Sequence, residues 1–180
     1  AKKGSRWVIN GQKVWIVNGR HANLSIVYVQ TKSIGDKTGI AGFAVDLNKN
    51  GVKRFPIHSM FSQNTMGTGG FELTNYLATG EDLILPPGSA YKVILNEINL
   101  ARVYVASMCC HMLENLLRIT KDYGSKHSAF GSPLERHQTW RFEMAEAEVD
   151  LTAAKLLVRE AEKAASEKSE LQMPAAKAKA

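Results

Sequence analysis

Cysteine is scarce in this chain, and its placement excludes as much as its scarcity. Only Cys109 and Cys110 occur, side by side. Neighbours on a helix point about 100° apart, so the two do not bridge easily. They read as small, buried, apolar residues of a reducing compartment. No second cysteine pair and no spaced histidine pair accompanies them, which leaves a zinc site without ligands. An uninterrupted run of 18 apolar residues is also missing, so no membrane-spanning helix is expected. No signal peptide is visible, and the opening Ala-Lys-Lys-Gly reads as a processed or incomplete chain. Acidic residues are in deficit: 17 Asp and Glu face 23 Lys and Arg, for a formal charge of +6. The excess lies in residues 1–90, with ten basic against five acidic residues, while 91–180 holds thirteen against twelve. A basic first half suits nucleotide phosphates or a solvated surface. Nucleic-acid binding needs basic residues clustered with aromatics on one face, a pattern not seen here.

Short alternating segments fill the first half. Trp7-Val8-Ile9 and Val14-Trp15-Ile16-Val17 flank Asn10-Gly11, the strongest short hairpin signal. Strands are predicted at Leu24 to Val29, Gly42 to Leu47, Val52 to Ile57 and Phe71 to Leu77, with a turn at Asn50-Gly51. Gly67 to Gly70 reads as a flexible stretch, and Pro86-Pro87-Gly88 closes the domain. From Tyr91 the period changes. Val93, Ile94, Ile98, Ala101, Val105, Met108, Met112, Leu116 and Ile119 fit a long helix, apolar over much of its circumference, that breaks near Gly124. A second helix opens at Leu134 or Glu135. Its Trp140, Met144, Ala147, Leu151, Ala154, Val158, Ala161 and Ala165 are spaced alternately by four and three, a bundle-type packing seam. A third helix starts at Pro174. The expected fold is α+β. An antiparallel barrel- or sandwich-like domain over 1–90 precedes long antiparallel helices of an incomplete four-helix bundle over 91–180.

Two distant segments carry a resemblance. The first is the run from Trp7 to Gly19. The second is His127-Ser128-Ala129-Phe130-Gly131, with His137-Gln138 beyond. In this order they resemble the acyl-CoA dehydrogenase family of flavoproteins: its middle β-domain and the opening helices of its C-terminal domain. The resemblance implies FAD as cofactor, with Trp15, Ile16 and Val17 covering one face of the flavin. Val17 stands where the family has Thr or Ser. The second segment resembles an Arg-x-x-Phe-Gly motif followed by Gln seven residues on, here Gln138. His127 takes the place of the Arg. The resemblance implies that His127, Phe130, His137 and Gln138 face the FAD of a neighbouring subunit. Asn99 and Arg102 match the start of the family's long helix and are implied near the acyl-CoA substrate. Ala101 occupies one of the family's two positions for the catalytic Glu; the other lies beyond this chain, so the catalytic residue stays unassigned. Glu97 reads as an acid favoured by a helix N-terminus. Gln63 replaces an Arg in the segment from Met60 to Gly70.

The activity implied is α,β-dehydrogenation of an acyl-CoA thioester, with hydride passing to the flavin. The family further implies an electron-transfer acceptor protein, a homodimer or homotetramer, and a cytoplasmic location, or the mitochondrial matrix in a eukaryote. Two alternatives remain open: a flavin monooxygenase or oxidase on the same fold, and a non-catalytic scaffold or assembly subunit, which the changes at Val17, Gln63 and His127 motivate.

Overall fold

Period-two alternation in the first half becomes two antiparallel sheets. The computed structural model describes residues 2–3, 6–34, 37–58, 60–61 and 64–180. The strands are β1 (Lys2–Lys3), β2 (Arg6–Ile16), β3 (Leu24–Ile34), β4 (Lys37–Asp46), β5 (Val52–Pro56), β6 (Gly69–Ala78) and β7 (Leu83–Leu85). One sheet runs β1-β2-β6-β5 and the other β3-β4-β7. Their inward residues, among them Ile9, Val27, Phe43, Val45, Phe71, Leu73 and Tyr76, form a single apolar cluster, so the arrangement is a sandwich and no closed barrel forms. Tyr76 ties the layers together: its fully buried hydroxyl oxygen accepts the Asp46 N–H at 3.1 Å.

The predicted hairpin at Asn10-Gly11 is not a turn. β2 runs straight through it, because both flanking runs pair with the same strand, Ile9 with Tyr76 and Gly11 with Leu73. The step from Ile9 to Gly11 spans two residues on β2 and three on β6, so the extra residue bulges from β6. Asn75 takes φ 51 there, and its N–H donates to Asn10 Oδ1 at 2.7 Å. The bulge also resets the inward parity of β6, from Phe71 and Leu73 to Tyr76 and Ala78. Gly11 at φ 148 fits the same irregularity. The Asn-Gly signal was therefore real, but it marks a bulge.

Gly69 and Gly70, expected in a flexible stretch, begin β6. At Gly70 a Cβ would lie 2.5 Å from the Phe55 ring and 2.6 Å from the Lys13 carbonyl oxygen. Only glycine lets β2, β5 and β6 approach this closely. The turn at Asn50-Gly51 forms as expected, with Gly51 at φ 89, and carries the chain from one sheet to the other.

Two compact units emerge, Ala1–Val93 and Ile94–Ala180. The second holds most of α1 (Ala90–Lys126), a small hairpin of β8 (Ser128–Ala129) and β9 (Ser132–Pro133), α2 (Gln138–Ser166) and α3 (Gln172–Lys179). A 3-10 turn over Leu134–Arg136 precedes α2, so the second helix starts later than expected. Every position of the predicted α2 seam is buried or half-buried. The opposing stripe on α1 is Val103, Ala106, Cys110, Leu113 and Leu117, continued by Gly124. This differs from the stripe predicted for α1. Met108, Met112, Leu116 and Ile119 are 37–57% exposed. The face that α2 takes runs through Ala106, Cys110 and Gly124 with Leu113 and Leu117 between them, and the approach is closest at Gly124, where a Cβ would lie 2.6 Å from the Trp140 ring. Cys110 is buried as expected, but its neighbour Cys109 is exposed.

Ion pairs Lys121–Glu148 and Lys155–Glu114 flank the seam and match its antiparallel register. The hydrogen bond from Lys155, and then its charge, hold the Glu114 carboxyl below its ordinary value. By length and composition α1 could cross a membrane: one 18-residue window reaches a mean hydropathy of 1.3. The core helix of a bundle passes the same test, so this window does not overturn the expectation of no membrane-spanning helix. Part of this apolarity is accounted for by the face packed on α2.

Candidate functional site

The sequence-predicted residues fall into two groups, one in each unit. In the first unit, Trp15, Ile16 and Val17 mark the end of β2. Between Lys13–Phe71 and Ile16–Gly69 the register again slips, now with the extra residue on β2. Trp15 sits in this bulge at φ 62. Left-handed backbone costs a side-chain-bearing residue ~1–2 kcal/mol. Ile16 beside it is half-buried and packs on the sandwich core. Trp15 and Val17 are 66% and 57% exposed. The bulge thus turns a flat indole outward while its neighbour anchors the strand. The chain beyond is strapped down, with Asn18 N–H donating to Met66 O and Arg20 N–H to Gly67 O, both at 3.0 Å. Gln63 lies outside the described residues.

In the second unit, Asn99 and Arg102 lie on α1. Asn99 is buried, and its Oδ1 accepts from Arg102 Nη1 at 3.1 Å. Arg102 is exposed. The two were expected to share one role; the structure makes Arg102 the available cation and Asn99 the group that orients it. Glu97 is exposed and lies beyond the first turn of α1, out of reach of the helix N-terminal field.

The motif from His127 to Gln138 builds a different feature. β8 and β9 pair through Ala129 and Ser132, leaving Phe130-Gly131 as a two-residue loop. Both loop residues have positive φ, 51 and 81, the signature of a type I′ turn. Gly131 takes that conformation freely. Phe130 does not, and its ring is fully exposed. His127 stacks on Tyr123 at 4.9 Å and 14°, a contact that the four-residue helical spacing would have signalled. Gln138 is exposed at the first turn of α2. His137 is half-buried, and its Nε2 lies 3.0 Å from Ala129 O and 3.2 Å from Ser132 Oγ. Sequence reasoning missed Ala129 and Ser132 because main-chain and hydroxyl partners leave no mark in residue spacing.

These side chains fit FAD in kind. Trp15 and Phe130 offer exposed aromatic faces for a planar ring system. Gln138 and His127 offer donors, while Arg102, a permanent cation, belongs to the residues expected beside the substrate. Val17 brings no side-chain donor.

Comparison with known proteins agrees with this reading. Residues 1–76 match the family model described as acyl-CoA dehydrogenase, middle domain, and residues 89–180 the model for the C-terminal domain. The short-chain specific acyl-CoA dehydrogenase of Mus musculus is 26% identical over 156 residues, covering 87% of this chain and 38% of the mouse protein. Butyryl-CoA dehydrogenase from Megasphaera elsdenii shares the fold at a TM-score of 0.88 and 24% identity, over 98% of this chain and 46% of that one. A glutaryl-CoA dehydrogenase from Mycobacterium smegmatis, solved in complex with FADH2, superposes at 0.85 with 26% identity, over 98% of this chain and 44% of that one. The chain spans less than half the length of these relatives. It belongs to the acyl-CoA dehydrogenase family, of which it carries the middle domain and a C-terminal-domain segment.

Proposed function

We propose that the protein carrying this chain is an FAD-dependent acyl-CoA dehydrogenase, which removes a proton from the α-carbon and a hydride from the β-carbon of an acyl thioester. The observation that carries this reading is the pair of exposed aromatics, Trp15 and Phe130, held in left-handed backbone at the positions the family resemblance assigns to the flavin. Bound FAD supplies the hydride acceptor. Trp15 walls the ring system and excludes water from one side, while Ile16 fixes the strand beneath it. Asn99 aims the Arg102 guanidinium, which holds the anionic part of the CoA substrate. His127, Phe130 and Gln138 face the flavin of a partner subunit, so the working form is a homodimer or homotetramer. Ala101 offers no base beside Arg102, and the group that takes the α-proton is not assigned. Electrons leave to an electron-transfer protein. The location is cytoplasmic, or the mitochondrial matrix in a eukaryote.

A second reading, a non-catalytic relative that keeps the fold, is favoured by one observation: Val17, exposed beside Trp15, has no hydroxyl to donate. One experiment separates the two. The full-length protein is purified, its absorbance is recorded near 450 nm (a general flavin band), and acyl-CoAs are added without oxygen. A flavin band bleached by one of them supports the dehydrogenase. A colourless protein that takes up no added FAD refutes it and supports the scaffold.

A further inference from the structure

His137 is the residue of the second motif whose side chain is already committed inside the protein. It occupies the N-cap position of α2, yet its side chain makes no capping bond. Instead the ring turns back to the hairpin. Ala129 O is an acceptor only, so the 3.0 Å contact requires a proton on Nε2, and this carbonyl fixes the tautomer. Ser132 Oγ, at 3.2 Å, shares that proton as a second acceptor. Ala129 and Ser132 are the paired residues that flank the Phe130-Gly131 loop. The imidazole therefore spans the base of the turn from outside. Its ring also meets Phe130 edge-on, at 6.3 Å and 82°. Through its main chain His137 donates to Leu134 O at 3.0 Å and accepts from Arg141 N–H at 3.1 Å. One residue thus joins the hairpin, the 3-10 turn and α2.

We propose that His137 is a positioning residue for the cofactor rather than a ligand of it. It locks the Phe130-Gly131 turn in its left-handed form and so presents the exposed Phe130 ring ready-oriented to an aromatic ligand, the flavin. A fully exposed Phe in left-handed backbone has little of its own to hold it, and the Nε2 bonds supply what it lacks. The inference rests on the dehydrogenase reading, in which Phe130 meets FAD.

A double-mutant cycle on the full-length protein tests it. FAD affinity of the apoprotein is measured for wild type, Phe130→Ala, His137→Ala and the double variant. Hydrogen exchange of the peptide over residues 127–134 is followed in parallel. The expected result is that His137→Ala speeds exchange in that peptide about fivefold, the equivalent of one lost neutral hydrogen bond, with the body of α2 unchanged. FAD binding weakens by a similar factor in each single variant and no further in the double, since both act through one ring. His137→Gln, whose amide reaches the same carbonyl, restores most of the affinity. Additive losses, or a His137→Ala variant that binds FAD like wild type, overturn the inference while leaving the dehydrogenase reading intact. A wild-type protein that binds no FAD overturns both.

Discussion

Gly70→Ala is a severe single-methyl change whose cost the β-sandwich geometry isolates as purely steric. Gly70 is buried, and its φ is not in the left-handed region, so an alanine there suffers no backbone penalty. The cost is steric alone. The new methyl would lie 2.5 Å from two atoms of the Phe55 ring and 2.6 Å from the Lys13 carbonyl oxygen. The ring can swing away at some loss of packing. The oxygen cannot, because Lys13 is paired into the β2–β6 ladder opposite Phe71. Overpacking a core costs about 1–3 kcal/mol, and an obstacle on the main chain puts this case near the top, at about 3 kcal/mol. For a chain of this size that lowers Tm by roughly 6–12 °C. Thermal unfolding by circular dichroism measures it, with Gly80→Ala as control. Gly80 has nothing within 4 Å of a built Cβ, so that change is neutral or gains up to ~1 kcal/mol from the unfolded state. Adding Phe55→Leu to Gly70→Ala recovers only the ring's share of the loss. A Gly70→Ala protein within about 0.5 kcal/mol of wild type would refute the claim that only glycine lets β2, β5 and β6 approach this closely, since changes that small are those of ordinary surface substitutions.

Trp15→Gly removes a strained, 66% exposed residue; relief of ~1–2 kcal/mol less the extra freedom of unfolded glycine leaves a gain of about 0.5–1 kcal/mol, read as a higher apoprotein Tm, while FAD uptake falls. Gly124→Val drives a branched side chain into the Trp140 ring, 2.6 Å from the first added carbon; a loss of about 1–2 kcal/mol and a red-shifted tryptophan emission are expected from thermal melts and fluorescence. Glu114→Gln is expected to matter in a pH-dependent way. Lys155 lowers the folded-state value of this carboxyl below its ordinary 4.5, so the pair's stabilisation is present above about that pH and fades as pH falls through the folded-state value. The Tm difference between wild type and Glu114→Gln should therefore be constant at pH 6–8 (an assay range set by ordinary carboxylate titration) and shrink in acid.

Much of the helical unit was legible because one periodicity governs it. The seam of α2 from Trp140 to Ala165 follows from spacing alone, since a helix facing a single partner must bury one stripe. α1 misled for a related reason. It is apolar on several faces, and spacing cannot say which face a partner takes. The face taken runs through the small residues Ala106, Cys110 and Gly124 with Leu113 and Leu117 between them, while Met108, Met112 and Leu116 lie off it. In the sandwich, local signals were sound and their long-range meaning was hidden. Asn10-Gly11 and Gly69-Gly70 both carry turn chemistry, yet each is held in a strand by a partner distant in sequence, Asn75 for the first and Phe55 with Lys13 for the second. Trp15, Phe130, Asn99 and Arg102 were singled out by resemblance to a family motif, but the bonds that support them were not. Asn99 orients Arg102, and Ala129 and Ser132 meet His137, through hydrogen bonds whose partners only the folded backbone brings together.

The two strained aromatics bear on what those supports are for. The large core aromatics Phe43, Phe71 and Tyr76 are wholly buried and none has positive φ. Their burial stabilises the sandwich by amounts that would offset some strain, yet none is present. Trp15 and Phe130 show the reverse: left-handed backbone at ~1–2 kcal/mol each, with rings 66% and 100% exposed. Folding of the isolated units therefore gains little from either ring and loses by its backbone. A residue selected only for stability at such positions would be glycine or asparagine. Strain of this kind persists where the surrounding structure over-determines it, and it clusters at ligand clamps and active sites. In both cases the strained residue sits beside a clamp, Ile16 packed on the core for one and the His137 bonds for the other. The clamps hold the backbone that carries each ring, which lowers the ordering cost of binding. On this account relaxing the His137 clamp should loosen only the hairpin beside it and weaken ligand binding, whereas Gly70→Ala lowers the stability of the sandwich itself.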